Sequence, residues 1–89
     1  MKARQPVVEI AATGRYLPER IMTNAELASL VDTNDQWIRE RTGISERRIA
    51  AEDEGAADMG AAASRIAMER AGVKPGEVDL IVLATATPA

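Results

Sequence analysis

The chain has 89 residues, 46% of them hydrophobic and 28% charged, with a net charge of −3, the balance of a globular protein and not of a disordered one. It contains neither Cys nor His, which excludes disulfides, thiolate metal sites, a thiol nucleophile and the usual general base. Positive and negative residues are interleaved, so no nucleic-acid footprint is expected.

The opening Met1-Lys2-Ala3-Arg4-Gln5-Pro6 is basic, but the apolar run behind it is broken by Glu9 and by Thr13-Gly14-Arg15, too early for a secretory leader. No run approaches the ~20 apolar residues of a membrane span, and a cytoplasmic protein is expected. Val7 to Ala12, bounded by Pro6 and Thr13-Gly14, reads as a strand buried on both faces. Tyr16 to Arg20 reads as an irregular link, with Leu17 held extended by Pro18.

Thr23-Asn24-Ala25-Glu26 has capping-box spacing and opens a short helix with Leu27, Leu30 and Val31 on one face. Thr33-Asn34-Asp35-Gln36 repeats the device and opens a second helix through Trp37, Ile38 and Arg41, closed by Gly43 in a left-handed conformation. Ser45 to Asp53 is charged and reads as a loop or ribbon crossing the surface. From about Glu54 to Ala71 the spacing of Met59, Ala62, Ala63, Ile66, Ala67 and Arg70 predicts a long helix ended by Gly72, and its alanines predict close contact with a neighbour.

Lys74-Pro75-Gly76-Glu77 is a turn, and Val78 to Ala84 is a nearly continuous apolar run that predicts a second buried strand. Strand, helices, strand is a crossover pattern, so a parallel pairing and an α/β class are expected. One long helix cannot cover two buried parallel strands, which predicts that further strands lie outside residues 1–89. With one Trp, one Tyr and no Phe, an independent core would be thin at about 25 cal/mol per Å² of apolar area buried.

Trp37 and Arg41 stand four apart on the second predicted helix and share a face, where they can flank a flat group such as an adenine ring by stacking and cation–π contact. The same spacing suits a core Trp with an Arg snorkelling over it, and periodicity leaves both readings open. Arg39, Arg41, Arg47 and Arg48 form a basic patch suited to phosphates or an acidic carrier, or else a solvated face balanced by Glu40, Glu46 and Glu52. Asp32, Asp35 and Asp53 match no metal-loop spacing and read as structural, two of them near helix starts. Gly14, Gly43 and Gly55 form no phosphate-binding glycine motif.

Three stretches, Thr23-Asn24-Ala25-Glu26-Leu27, Val31 to Ile38 and Arg41-Thr42-Gly43-Ile44-Ser45-Glu46-Arg47-Arg48, closely resemble the opening of 3-oxoacyl-acyl-carrier-protein synthase III. Gly14 to Pro18 and Asp79 to Thr85 extend the likeness over essentially the whole chain. The resemblance implies a thiolase-like fold, layered α-β-α-β-α when complete, of which residues 1–89 are the amino-terminal part of the first half. It implies an acyltransferase that initiates type II fatty-acid synthesis: a cysteine takes an acyl group from acyl-CoA and condenses it with malonyl-acyl-carrier protein, losing CO2 with the help of a His and an Asn. All three residues are expected beyond Ala89, so this chain alone is expected to be inactive.

Carried onto this sequence, the family's coenzyme A contacts fall on Trp37, Arg41 and Thr33. The resemblance implies a homodimer with coenzyme A thioester as substrate and no cofactor; charge pattern, apolar run length and carboxylate spacing are the grounds for expecting no nucleic acid, membrane or metal partner. Ala12, where the family often has Gly, and the added residues before Val7 are expected to be neutral. Starter enzymes of polyketide or quinolone synthesis begin similarly and leave the acyl donor open, and a non-catalytic CoA-binding fragment is the alternative from another class.

Overall fold

A four-residue ribbon and its two flanking helices organise the structure, a computed structural model that describes residues 7–87. Arg20–Thr23 (β1) pairs antiparallel with Glu46–Ile49 (β2), Arg20 opposite Ile49 and Thr23 opposite Glu46. Asn24–Ala28 (α1) follows β1 without a linker. Thr23 therefore ends the strand and caps the helix, its Oγ1 accepting the Glu26 N–H at 3.2 Å, while the Glu26 carboxylate pairs with Arg20 at 2.8 Å.

Asp35–Thr42 (α2) is capped by Asn34, whose Oδ1 accepts the Trp37 N–H at 2.8 Å. The cap expected at Thr33 thus lies one residue later, because Asn is at least as good a cap as Thr and extended Asn34 places its Oδ1 at the third helical amide. Gly43 closes α2 as predicted, at φ 72°, donating its N–H to the Arg39 carbonyl at 2.8 Å. A Cβ there would meet no atom within 4 Å, so the requirement for glycine is conformational alone.

Ala56–Ala71 (α3) begins two residues inside the predicted boundary. The Asp58 carboxylate accepts the Gly55 N–H at 2.8 Å, and Gly72 at φ 69° ends the helix. The alanine face is used as predicted, since Gly14 lies directly against it. A Cβ on Gly14 would collide with the Ala63 carbonyl oxygen and stand 2.7 Å from the Ala67 nitrogen. Arg70 reinforces the contact by donating to the Thr13 carbonyl at 3.0 Å. A short 3-10 turn at Pro75–Glu77 follows.

Three expectations are corrected. Val7 to Ala12 and Val78 to Ala84 are not strands among the described residues, and the parallel pairing expected of them is absent there; the pairing present is the antiparallel β1–β2 ribbon. Arg20, placed by sequence in an irregular link, is the first residue of β1. A ladder needs a partner backbone, and the two apolar segments meet none within residues 7–87. They remain open to solvent, Val8 at 96% and Val82 at 83%. The opening Met1 to Pro6 and the closing Pro88-Ala89 lie outside the described residues.

Among the described residues the buried apolar side chains are Met22 on β1 and Ile38 on α2, and α1 packs against both β1 and α2. The radius of gyration is 18.6 Å, against about 12 Å for a compact chain of this length. These described residues form an open α/β piece whose apolar segments await partners.

Candidate functional site

Trp37 and Arg41 lie on α2 as the spacing predicts. The Arg41 guanidinium carbon stands 5.2 Å from the Trp37 ring centroid, within cation–π range. Trp37 is half exposed, which removes the reading of it as the main core residue; Ile38 beside it takes that place. Thr33 joins the site from the turn before α2: Asp32, Thr33, Asn34 and Trp37 line a hollow of about 160 Å³. The geometry brings Thr33 and Trp37 to one depression and Arg41 onto the indole.

Stacking distances near 3.5 Å on either side place the walls of a sandwich about 7 Å apart. At 5.2 Å the guanidinium occupies the room a flat ring would take, so a ring admitted between them requires Arg41 to swing aside.

The predicted basic patch divides. Arg39 pairs with Asp35 at 2.9 Å. Arg47 donates to Asn24 Oδ1 at 2.7 Å and to the Met22 carbonyl at 3.4 Å, and Arg48 donates to the Pro18 carbonyl at 2.9 Å. Three of the four arginines are thereby bound up in the fold, and Arg41 faces the indole. Asp35 is structural, as read from sequence, and no group of carboxylates able to hold a metal occurs among the described residues.

Sequence reasoning missed Asn24 as more than part of a cap. It is 1% exposed, and every polar atom of its carboxamide is used. Nδ2 donates to Asp35 Oδ1 and to the Ile44 carbonyl, both at 2.8 Å, and Oδ1 accepts from Arg47 at 2.7 Å. Its backbone N–H donates to the Ser45 carbonyl at 3.1 Å. The available signal was the Thr23-Asn24 pair: either residue can cap, and the one that does not is free to bond elsewhere.

Tyr16 and Glu54 form a second polar contact, the phenol donating to the carboxylate. That bond, with partial burial and the nearby Glu54 charge, pushes the Tyr16 pKa up. Glu54 is held below its ordinary range first by Tyr16 and then by the Ala51 N–H. The pair ties the segment before β1 to the turn before α3.

No family model matches the chain. It is 48% identical over 89 residues to a beta-ketoacyl-acyl-carrier-protein synthase III of Sulfurovum sp. (strain NBC37-1), which covers 99% of this chain and 26% of the relative. Over the part it spans, the chain is similar to beta-ketoacyl-acyl-carrier-protein synthases III. The solved synthase III from Aquifex aeolicus VF5 superposes with a TM-score of 0.70 at 47% identity, over 79% of this chain and 22% of that one. The priming beta-ketosynthase of the R1128 polyketide pathway gives 0.73 at 43% identity, over 89% and 25%. The chain spans about a quarter of the length of the curated synthases III it matches, and its fold is a partial α/β piece of that thiolase-like architecture.

Proposed function

We propose that this chain is the coenzyme A-gripping part of an initiating condensing enzyme of type II fatty-acid synthesis, working in the cytoplasm as a homodimer. The reaction joins the acyl group of an acyl-CoA to malonyl-acyl-carrier protein with loss of CO2, giving 3-oxoacyl-acyl-carrier protein. A cysteine thiolate attacks the thioester carbonyl and expels the coenzyme A thiolate. Malonyl decarboxylation then yields an enolate that attacks the acyl-cysteine and frees the thiolate again. The chain has neither Cys nor His, so its share is to hold the nucleotide end of the donor, with Trp37 and Arg41 stacking on the adenine and Thr33 in contact beside them. The half-exposed Trp37 with Arg41 on its ring face, inside a segment 48% identical to a synthase III, carries this reading. No cofactor is assigned; the thioester is a substrate.

The polyketide starter reading is favoured by the likeness to a priming beta-ketosynthase, and it keeps the grip while changing the acyl group. Condensation assays of the full-length protein with acetyl-CoA and longer acyl-CoAs separate the two by donor preference.

The grip itself is tested there by Arg41→Ala and Trp37→Ala. Each is expected to raise KM for acyl-CoA about tenfold, the loss of one stacked partner, while KM for malonyl-acyl-carrier protein stays unchanged. Unchanged KM for both substrates would sink the clamp.

A further inference from the structure

We infer that Asn24 is a positioning residue for coenzyme A binding, setting the direction in which α2 presents Trp37 and Arg41. The inference rests on the clamp reading above and adds a residue outside the clamp.

Asn24 stands where three elements meet. It is the first residue of α1. Its carboxamide donates to Asp35, the first residue of α2, and to the carbonyl of Ile44, just beyond the Gly43 that closes α2. One side chain thereby grips both ends of the helix that carries Trp37 and Arg41. On its third side it accepts from Arg47 of β2, which also donates to the carbonyl of Met22 on β1. The carboxamide thereby ties α2 to the ribbon, beside the bond from the Asn24 N–H to the Ser45 carbonyl. Its 1% exposure excludes competing water, and a buried hydrogen bond left unmade is costly.

The chemistry of each partner requires an amide. Asp35 and the Ile44 carbonyl accept, and Arg47 donates, so the central group needs two donors and one acceptor. Asp offers acceptors alone and would set its carboxylate against that of Asp35. The link also continues outward, since Asp35 Oδ2 pairs with Arg39 on the next turn of α2. Errors at Asn24 thus reach the helix in its first turn, one turn or less from Trp37.

Three variants of the full-length protein test this by steady-state kinetics with acyl-CoA and malonyl-acyl-carrier protein: Asn24→Asp, the exchange Asn24→Asp with Asp35→Asn, and Arg41→Ala as the clamp reference. Asn24→Asp is expected to raise KM for acyl-CoA about tenfold, the effect of one charge-assisted hydrogen bond, with kcat and the carrier-protein KM within about twofold. The exchange restores a donor facing an acceptor between the two sites and is expected to recover at least half of that loss. A residue that only holds the fold would lower the active fraction, and so kcat, without moving KM, and that result overturns the inference.

Where Asn24→Asp does not fold, Asp35→Ala cuts the same link from the half-exposed helix end, with Arg39→Ala as control for the ion pair. A KM rise in Asp35→Ala beyond that of Arg39→Ala supports the inference, and equal values overturn it. A normal KM in Arg41→Ala overturns the clamp, and the inference with it; a raised KM there with a normal one in Asn24→Asp overturns the inference alone.

Discussion

Tyr16 and Glu54 give the chain a pH dependence whose sign follows from the two shifts. Glu54 titrates below its ordinary 4.5 in the folded protein, so its contribution is present above that value and fades as pH falls through the lowered one. Tyr16 titrates above its ordinary 10.0, so its contribution is complete below that value and is lost as pH rises through the raised one. The tether is therefore whole across the neutral range and weakened at both extremes. Tyr16→Phe removes the first cause of the Glu54 shift, and an NMR titration of the Glu54 carboxylate is expected to move upward toward 4.5. An unmoved Glu54 would assign its shift to the Ala51 amide instead.

The ends of α2 separate two kinds of cost at the scale of an element. Asn34→Ala is expected to destabilise the full-length protein by about 1 kcal/mol, the usual worth of a side-chain cap, and Thr33→Ala by much less; equal losses in thermal unfolding would return the cap to Thr33. Gly43→Ala is expected to cost about 1 kcal/mol through its left-handed backbone alone, whereas Gly14→Ala meets the backbone of α3 and is expected to cost more, 2 kcal/mol being a rough figure for overpacking.

These ends also show what can be read before coordinates. Gly43 and Gly72 were legible as terminators because a left-handed cap is a local requirement. The α3 face was legible because its alanines repeat at helical spacing. The Thr33 and Asn34 choice was not, since both residues cap and the decision belongs to the turn geometry. The ribbon offered for Ser45 to Asp53 holds β2, but β1 and the pairing were missed for a related reason: both strands are four residues long, and their pairing is set by contacts 20 and more residues apart. The contact of Arg41 with Trp37 was legible from their four-residue spacing, while Asn24 needed the fold to bring Asp35, Ile44 and Arg47 around it.

For the molecule as a whole, the extended dimensions of 65 × 31 × 23 Å and the bare apolar segments define what an isolated 89-residue chain would do. Amide exchange is expected to be slowest across β1, β2 and α2, and fast at Leu80 to Leu83, which face solvent on a segment without a ladder among the described residues. Uniform protection across Leu80 to Leu83 in that chain would mean that it finds its own partner strand, or pairs with a second copy through the exposed edge.

The contact between Arg41 and Trp37 carries a consequence for selectivity. In the proposed clamp, a ligand would enter by competition with the guanidinium that rests on the Trp37 ring. At an exposed site that contact is worth about 0.5–1 kcal/mol, so a strong stacker such as adenine gives up only a few-fold in affinity. Weak stackers and loose aliphatic groups gain too little from the indole to displace the arm. On that proposal the Arg41–Trp37 contact would itself set a threshold that favours strong stackers over weak ones.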